Sequence, residues 1–230
     1  MRTLAKHDRP RFGVDRVVLD VTGTLLVPNP HPAEVYGQAA EPFGLNLPTA
    51  TMKHRMIRAM SLHFGVGATA EEPLLRAPTN EQRERERWQQ VVFDVLRELS
   101  QSHRQLVFIQ LWDYFAQPQA WRWQTGMQRW VSDCLEQGLP LAIATNFDQR
   151  VHRVLDHFAP LDRIEARFLS AEIGFSKPDP RFFATVSRRL GHPANRMVMI
   201  GDDEINDLAG SNAAGWQSYH VSQRPQPNQL

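Results

Sequence analysis

The sequence predicts an α/β fold: a doubly wound parallel sheet, with a helical segment inserted after its first strand. Three short apolar runs each end in a polar cluster, a pattern typical of buried parallel strands. Helical patterns separate these runs along the chain. Residues 30–117 differ, because they contain helical patterns with no strand between them. With 230 residues, the chain exceeds one ordinary domain and falls short of two.

The core elements are predicted from apolar runs and helix-start signals. Strands are expected at residues 17–19, 139–144, 166–169, 197–200 and 217–221. Helices are expected at 125–137, at 148–157, at 206–214 and from Asp179, an N-cap residue that precedes Pro180. Open α/β sheets bind ligands at the carboxyl ends of their strands. We therefore expect the site where the runs ending near residues 20, 145 and 201 meet.

The inserted segment is predicted to be a separate helical domain. Its helices are expected at 34–43, 49–64, 80–100 and 103–115. This division gives a core domain of residues 1–29 and 118–230 and a cap domain of residues 30–117. Trp88 and Trp112 are expected in the interior of the cap. Residues 222–230 are polar, contain two prolines and are predicted to be disordered.

Composition and charge exclude several classes of protein. Hydrophobic residues make up 42% of the chain, so disorder is not expected as its main state. The 26 basic and 25 acidic residues nearly cancel, which predicts no nucleic acid and no membrane as partner. Cys134 is the single cysteine, so an intramolecular disulfide and a Cys-based zinc site are both excluded. No apolar stretch of spanning length and no apolar signal segment in 1–11 is seen, and we expect a cytoplasmic protein.

The polar residues after the first two predicted strands suit a phosphate site. Asp20 stands at the end of a buried run, where a carboxylate can act as a nucleophile, a metal ligand or both. Gly23 permits a tight turn beside a ligand, and Thr24 adds a hydroxyl. After the second run, Thr145 and Asn146 offer hydroxyl and amide donors for phosphoryl oxygens.

The remaining candidates are one lysine and a group of aspartates. Lys177 is one of only three lysines among the 26 basic residues, which favours a need for a compact ammonium at this loop. Three carboxylates stand close together after the third run, at Asp202, Asp203 and Asp207. Such groups repel one another unless a cation offsets them, and oxygen ligands are those that Mg²⁺ prefers.

These residues, in this order, resemble the four motifs of the haloacid dehalogenase (HAD) superfamily. The motifs are Asp20-x-Thr-Gly-Thr, Thr145-Asn, Lys177-Pro and Gly201-Asp-Asp-x-x-Asn-Asp207. The helical insertion after the first motif is similar to the C1-type cap of that superfamily. Among the members of this superfamily, the segments 170–183 and Asn146-Phe-Asp-Gln-Arg150 most resemble the haloacid dehalogenase-like hydrolase domain-containing protein 3 group.

The resemblance implies a hydrolase, a phosphoric monoester phosphatase, that acts on a small phosphorylated metabolite. Asp20 would attack phosphorus and form an aspartyl-phosphate, with Thr22, Thr145 and Lys177 as further catalytic residues. Mg²⁺ would be held by the side chains of Asp20 and Asp202 and the backbone carbonyl of Thr22, with indirect support from Asp207. The phosphate site would be lined by Gly23, Thr24, Thr145, Asn146 and Lys177.

One departure from the superfamily pattern concerns Thr22, which stands where most of its phosphatases have an acid/base aspartate. Threonine cannot relay a proton near neutral pH, so the resemblance implies a slow phosphatase. The alternatives are a binder of phosphorylated ligands or partners that does not hydrolyse them and, with less support, a 2-haloacid dehalogenase. Mutase chemistry fits less well because it would need the missing acid/base aspartate. Phosphonatase chemistry would need a cap lysine that forms a Schiff base, and Lys53, the only lysine of the cap, is expected on a helix surface. The sequence does not define the substrate or the oligomeric state. It also leaves open which of the cap residues His54, Arg55, Arg58 and His63 face the site.

Overall fold

The computed structural model describes residues 13–65 and 77–230. The predicted strands are present, and a second small sheet accompanies them. In chain order the strands are Arg16–Leu19 (β1), Leu26–Pro28 (β2), Trp121–Trp123 (β3), Leu141–Thr145 (β4), Arg167–Leu169 (β5), Met197–Gly201 (β6) and Gln217–His220 (β7). Five of them form a sheet of order β5-β4-β1-β6-β7 in which every neighbouring pair is parallel. The predicted α/β fold with a parallel sheet is confirmed.

Helices cover both faces of this sheet and the segment between β2 and β3. Their bounds are Pro32–Ala40 (α1), Thr49–Phe64 (α2), Glu81–Val95 (α3), Gln101–Phe115 (α4), Met127–Glu136 (α5), Arg150–His157 (α6), Ser170–Ile173 (α7), Pro180–Leu190 (α8) and Gly210–Ala213 (α9). A π-helical segment, Glu204–Ala209, leads directly into α9. As predicted, Asp179 is the N-cap of α8, and its side chain accepts the N–H of Arg181.

Successive residues of each central strand belong to different hydrophobic clusters, because side chains alternate across a sheet. In β1, Val17 and Leu19 join the cluster that contains residues of α5 and α6. Val18, between them, joins the cluster that contains Phe182 and Phe183 of α8. Burial on both faces explains why these strands appear in the sequence as continuous apolar runs.

The four helices α1 to α4 have a hydrophobic core of their own. Its buried residues run from Ala33 to Leu111, and none comes from the five-stranded sheet in the described part of the chain. The chain enters this segment after β2 and leaves it before β3, and these two strands pair antiparallel, with Leu26 opposite Trp123. The paired strands therefore hold both ends of the helical segment together. Among the described residues, no helix combines the length and apolar character needed to cross a bilayer.

The end of the chain differs from its prediction. Residues 222–230 were expected to be disordered, but they fold back against the core. Trp130 of α5 donates its indole N–H to the carbonyl of Pro225 at 2.9 Å, and Leu230 is buried in the same cluster as Trp130. The polar composition of this segment did not reveal these contacts, because they depend on Trp130 of α5, which is distant in sequence.

Candidate active site

The carboxyl ends of β1, β4 and β6 meet at one edge of the sheet. Leu19 of β1 lies opposite Ile143 of β4 and Ile200 of β6, so the three strands end together. Asp20, Thr145 and Asp202 consequently come close in space although they are far apart in sequence. The loop before α8 brings Lys177 to the same edge. One cavity of about 450 Å³ is lined by all four of these residues and extends into the helical segment.

The ammonium of Lys177 lies at the centre of this group and is almost fully buried. Its Nζ donates to Asp20 Oδ1 at 2.7 Å, to Asp207 Oδ1 at 2.5 Å and to the carbonyl of Ala144 at 3.0 Å. These three bonds account for its three protons. Burial lowers the pKa of Lys177, but the carboxylates of Asp20 and Asp207 raise it further, so the pKa stays above its ordinary value. The side chain is therefore charged at neutral pH.

Two carboxylates of the site, those of Asp202 and Asp207, have raised pKa values. Burial, with the nearby charge of Asp20, raises the pKa of Asp202 to about 6, although Asp202 Oδ1 accepts a hydrogen bond from the Thr24 hydroxyl at 2.8 Å. Burial raises the pKa of Asp207 to about 7 against the opposing effect of Lys177. Asp203 has another task, because its Oδ1 accepts the N–H groups of Ile205 and Asn206 and so caps the following helix.

The carboxylates fit a divalent cation. Asp20, Asp202 and Asp207 each offer an oxygen atom, and the three atoms lie within 4.8 Å of one another. The Lys177 ammonium bonds two of them, Asp20 and Asp207, so three carboxylates share one positive charge when all are ionised. An oxygen-rich cluster with excess negative charge is the donor set that Mg²⁺ prefers. Thr22, predicted to add its backbone carbonyl, lines the cavity beside Asp20.

Two glycines let carboxylates approach the backbone closely. A Cβ at Gly23 would lie 2.2 Å from Asp202 Oδ2, and a Cβ at Gly201 would lie 2.1 Å from Asp207 Oδ2. Gly23 also has a φ of +91°, which side chains rarely adopt. Its N–H donates to the carbonyl of Leu26, so in this conformation the group is not directed at a phosphate. Gly23 makes room for Asp202, and the phosphate contact predicted for it stays a prediction.

Two further residues of the predicted phosphate site, Thr24 and Asn146, bond to neighbouring residues of the site. The amide of Asn146 donates to the carbonyl of Lys177 at 2.9 Å, and its oxygen accepts the Lys177 N–H at 2.7 Å. Its side chain thus fixes the lysine loop. Thr24 is fully buried and its hydroxyl holds Asp202. By contrast, the Thr145 hydroxyl makes no hydrogen bond to another described residue, and Thr145 lines the cavity.

Arg150 links the core to the helical segment, a role that the sequence did not reveal. Its guanidinium bonds the buried Asp148 through Nε and Nη2, both at 2.7 Å. It also lies 3.3 Å from the ring centroid of Trp112 on α4 and donates to the carbonyl of that residue at 3.1 Å. The Asp-x-Arg spacing permits the ion pair, but only the three-dimensional structure shows Trp112 as the second partner of Arg150.

The four residues of the helical segment whose orientation the sequence leaves open do not line the cavity. Arg55 forms a two-pronged ion pair with Glu98, and His63 pairs with Asp94 at 2.6 Å. Among the described residues that line the cavity, none is His54, Arg55, Arg58 or His63, whereas Lys53 is one. Trp112, expected in the interior of the cap, is only half-buried and lines the cavity as well.

The family of the chain follows from comparison with known proteins. Residues 14–215 match the profile of the haloacid dehalogenase-like hydrolases. The chain belongs to this hydrolase family. The predicted superfamily is therefore confirmed.

Relatives within the family agree with this assignment. The haloacid dehalogenase-like hydrolase domain-containing protein 3 of Mus musculus is 27% identical over 209 residues, which cover 88% of this chain and 80% of that protein. The ribulose-1,5-bisphosphate 5-phosphatase of Halopiger xanaduensis is 34% identical over 89 residues, 38% of this chain and 37% of that protein. Among solved structures, YfnB of Bacillus subtilis with bound magnesium has a TM-score of 0.67, with 18% identity over 89% of this chain and 87% of that one. This last likeness shows the HAD fold alone.

Proposed function

We propose that the chain is a Mg²⁺-dependent phosphomonoesterase that acts on a small phosphorylated metabolite through an aspartyl-phosphate at Asp20. The observation that carries the proposal is the buried contact between Asp20 and Lys177, with two further carboxylates beside it. A phosphoryl group asks a protein mainly for positioning and for neutralisation of its charge. Phosphatases among the family relatives add support.

In the proposed reaction Asp20 attacks phosphorus in line with the ester oxygen. The P–O bond to the alcohol breaks, the alcohol takes up a proton, and phosphorus becomes attached to the carboxylate. Water then attacks phosphorus, which returns the Asp20 carboxylate and releases inorganic phosphate. Mg²⁺, held by Asp20, Asp202 and the carbonyl of Thr22, would supply charge neutralisation at the phosphoryl oxygens.

Lys177 and Thr145 have different roles beside the phosphoryl group in this proposal. All three Lys177 protons are engaged with protein oxygens, so its ammonium acts first as a buried positive charge that holds Asp20 and Asp207 in place. Thr145 offers a hydroxyl to the cavity and is the candidate direct donor to a phosphoryl oxygen. Asp207 supports the metal site indirectly, because its carboxylate is fixed by Lys177 and by the N–H of Asp203.

Thr22 limits the proposed reaction. Its side chain is exposed to the cavity beside Asp20, where it cannot donate a proton to a leaving alcohol at neutral pH. The alcohol must then take its proton from water or from another group. Esters with poorly stabilised leaving groups should be hydrolysed slowly for this reason.

The helical segment 30–117 is proposed as a cap domain over this site. It has its own core, and the pairing of β2 with β3 holds its two ends. The contact between Arg150 and Trp112 provides a second attachment. A cap of this kind excludes water from the reacting phosphoryl group.

Turnover of p-nitrophenyl phosphate with Mg²⁺, and with a chelator instead, tests the proposal. We expect activity that needs Mg²⁺ and disappears in Asp20→Asn, while Asp162→Asn, at an exposed site, serves as the control. Halide release from 2-chloropropionate without metal would favour the dehalogenase alternative. Tight binding of beryllofluoride without hydrolysis of any phosphoester would favour the non-hydrolytic alternative.

A further inference from the structure

The cavity continues from the acidic cluster into the cap, where three helices each present one stripe of side chains to it. On α2 the stripe consists of Lys53, Met56, Ile57 and Met60. This is the i, i+3, i+4, i+7 spacing of one helix face. The face is apolar except at Lys53, whose long side chain is exposed.

The other two helices add apolar and aromatic side chains. Trp88 of α3 lines the cavity, and so do Phe108 and Leu111 of α4. Polar groups on the described cap side of the cavity are few: apart from the two indoles, they belong to His31, Tyr36 and Lys53. His31 already accepts the N–H of Ala33 through Nδ1. The cap therefore offers little hydrogen bonding to the leaving part of a substrate.

This surface discriminates between leaving alcohols by their polarity. A sugar or polyol would leave hydroxyl groups without partners among Met56, Met60 and Phe108, which costs free energy when those groups lose water. An apolar alcohol would gain free energy from burial against the same side chains. The cavity, at about 450 Å³, falls within the range of sites that hold a ligand much larger than a phosphoryl group.

We propose that the substrates are phosphomonoesters of apolar alcohols, with the apolar group lying between α2, α3 and α4. The proposal rests on the phosphatase function above and defines its substrate class. The bond that breaks is the same P–O ester bond, and the apolar alcohol leaves with a proton from solvent. Sugar phosphates and polyol phosphates are expected to be poor substrates.

A series of n-alkyl phosphates from ethyl to hexyl tests the proposal, because chemical reactivity changes little along it. We expect kcat/KM to rise about two- to four-fold per methylene, the upper value being equivalent to about 0.8 kcal/mol of burial. Glycerol 3-phosphate and ribose 5-phosphate should have lower kcat/KM values than hexyl phosphate. Flat kcat/KM values along the series, or preference for the polar esters, would overturn the apolar site while leaving the phosphatase function intact.

Two variants of α2 supply the matched comparison. Met60→Gln changes a cavity residue, and Leu62→Gln changes a residue that is 72% exposed and absent from the cavity lining. We expect Met60→Gln to lower several-fold the ratio of kcat/KM for hexyl phosphate to kcat/KM for ethyl phosphate. Leu62→Gln should leave this ratio unchanged. Equal ratios in both variants would contradict the proposal.

Binding of ethylphosphonate and hexylphosphonate with Mg²⁺, measured by calorimetry, separates this proposal from the phosphatase function. Tighter binding of hexylphosphonate, weakened by Met60→Gln, supports the apolar site even if no ester is hydrolysed. Absence of hydrolysis would then count against the phosphatase function alone. Equal binding of the two phosphonates would overturn the apolar site.

Discussion

The ammonium of Lys177 donates a hydrogen bond to Asp20 Oδ1 across 2.7 Å, although 157 positions separate the two residues in the chain. The same nitrogen reaches Asp207 and the carbonyl of Ala144, so one buried cation ties the ends of β1 and β4 to the helical segment that follows β6. A guanidinium would not fit these three acceptors, because its donors lie in a plane on a larger group. This geometry explains why a lysine stands at position 177 in a chain whose basic residues are mostly arginines.

Replacement of Lys177 should impair both stability and activity. Lys177→Met leaves Asp20 and Asp207 buried without their cation, and removal of one partner of a buried ion pair costs about 3–5 kcal/mol. We expect a loss of this order in the free energy of unfolding, measured with urea, and loss of turnover. Lys53→Met, at an exposed lysine, should change stability by less than about 0.5 kcal/mol. Equal effects of the two variants on stability would contradict the account.

Thr22→Asp should increase phosphatase activity. General acid–base catalysis contributes roughly 100- to 10,000-fold, and an aspartate here would stand beside Asp20 at the cavity. We expect turnover of alkyl phosphates to rise at least about ten-fold. The gain should be smaller with p-nitrophenyl phosphate, whose leaving group needs no proton. Thr22→Ser is the control, and an unchanged or lower rate in Thr22→Asp would show that a missing acid does not limit the reaction.

Much of this site could be predicted from the sequence, because parallel strands bring their carboxyl ends to one edge. Asp20, Thr145 and Asp202 follow from that rule alone. The roles of Gly23 and Asn146 could not be predicted, since they depend on contacts with Asp202 and with the backbone of Lys177. Local patterns carry no information on such distant partners.

The helical segment shows the same limit. Its four helices were predicted from periodicity, and the bounds of α2 agree with the prediction. The helical face that lines the cavity could not be predicted, because several faces of α2 combine apolar and basic residues. His63 pairs with Asp94 of α3, and Arg55 pairs with Glu98 in the turn after α3. The face of α2 that contains Met56 and Met60 lines the cavity.

Binding of Mg²⁺ should weaken in mild acid. Burial raises the pKa of Asp202 to about 6, so without metal this carboxyl binds a proton below that pH, and the cation must displace it. We expect the dissociation constant of Mg²⁺ to change little above neutral pH and to rise below about pH 6, by up to about ten-fold per pH unit. Calorimetry in buffers of different ionisation enthalpy would count the released proton. An affinity equal at about pH 5 and about pH 7 would contradict this account.

Gly201→Ala should destabilise the protein more than an alanine at a helical glycine. The new Cβ would lie 2.1 Å from Asp207 Oδ2 and force that carboxylate away from its present position. Overpacking of this kind costs about 1–3 kcal/mol, and weaker Mg²⁺ binding should accompany it. Gly37, inside α1, has no atom within 4 Å of the added Cβ, and Gly37→Ala should stabilise by about 0.5–1 kcal/mol. Thermal unfolding of both variants would check the opposite signs.

The most direct measurement for the proposed mechanism is the detection of phosphate attached to Asp20. The protein is mixed with Mg²⁺ and a phosphoester, quenched in acid after one turnover and digested, and its peptides are weighed by mass spectrometry. The account predicts that the peptide containing Asp20 gains the mass of one HPO₃ unit, and that the gain and the turnover both disappear in Asp20→Asn. Turnover retained in Asp20→Asn, or a phosphoryl group found on another residue, would contradict it.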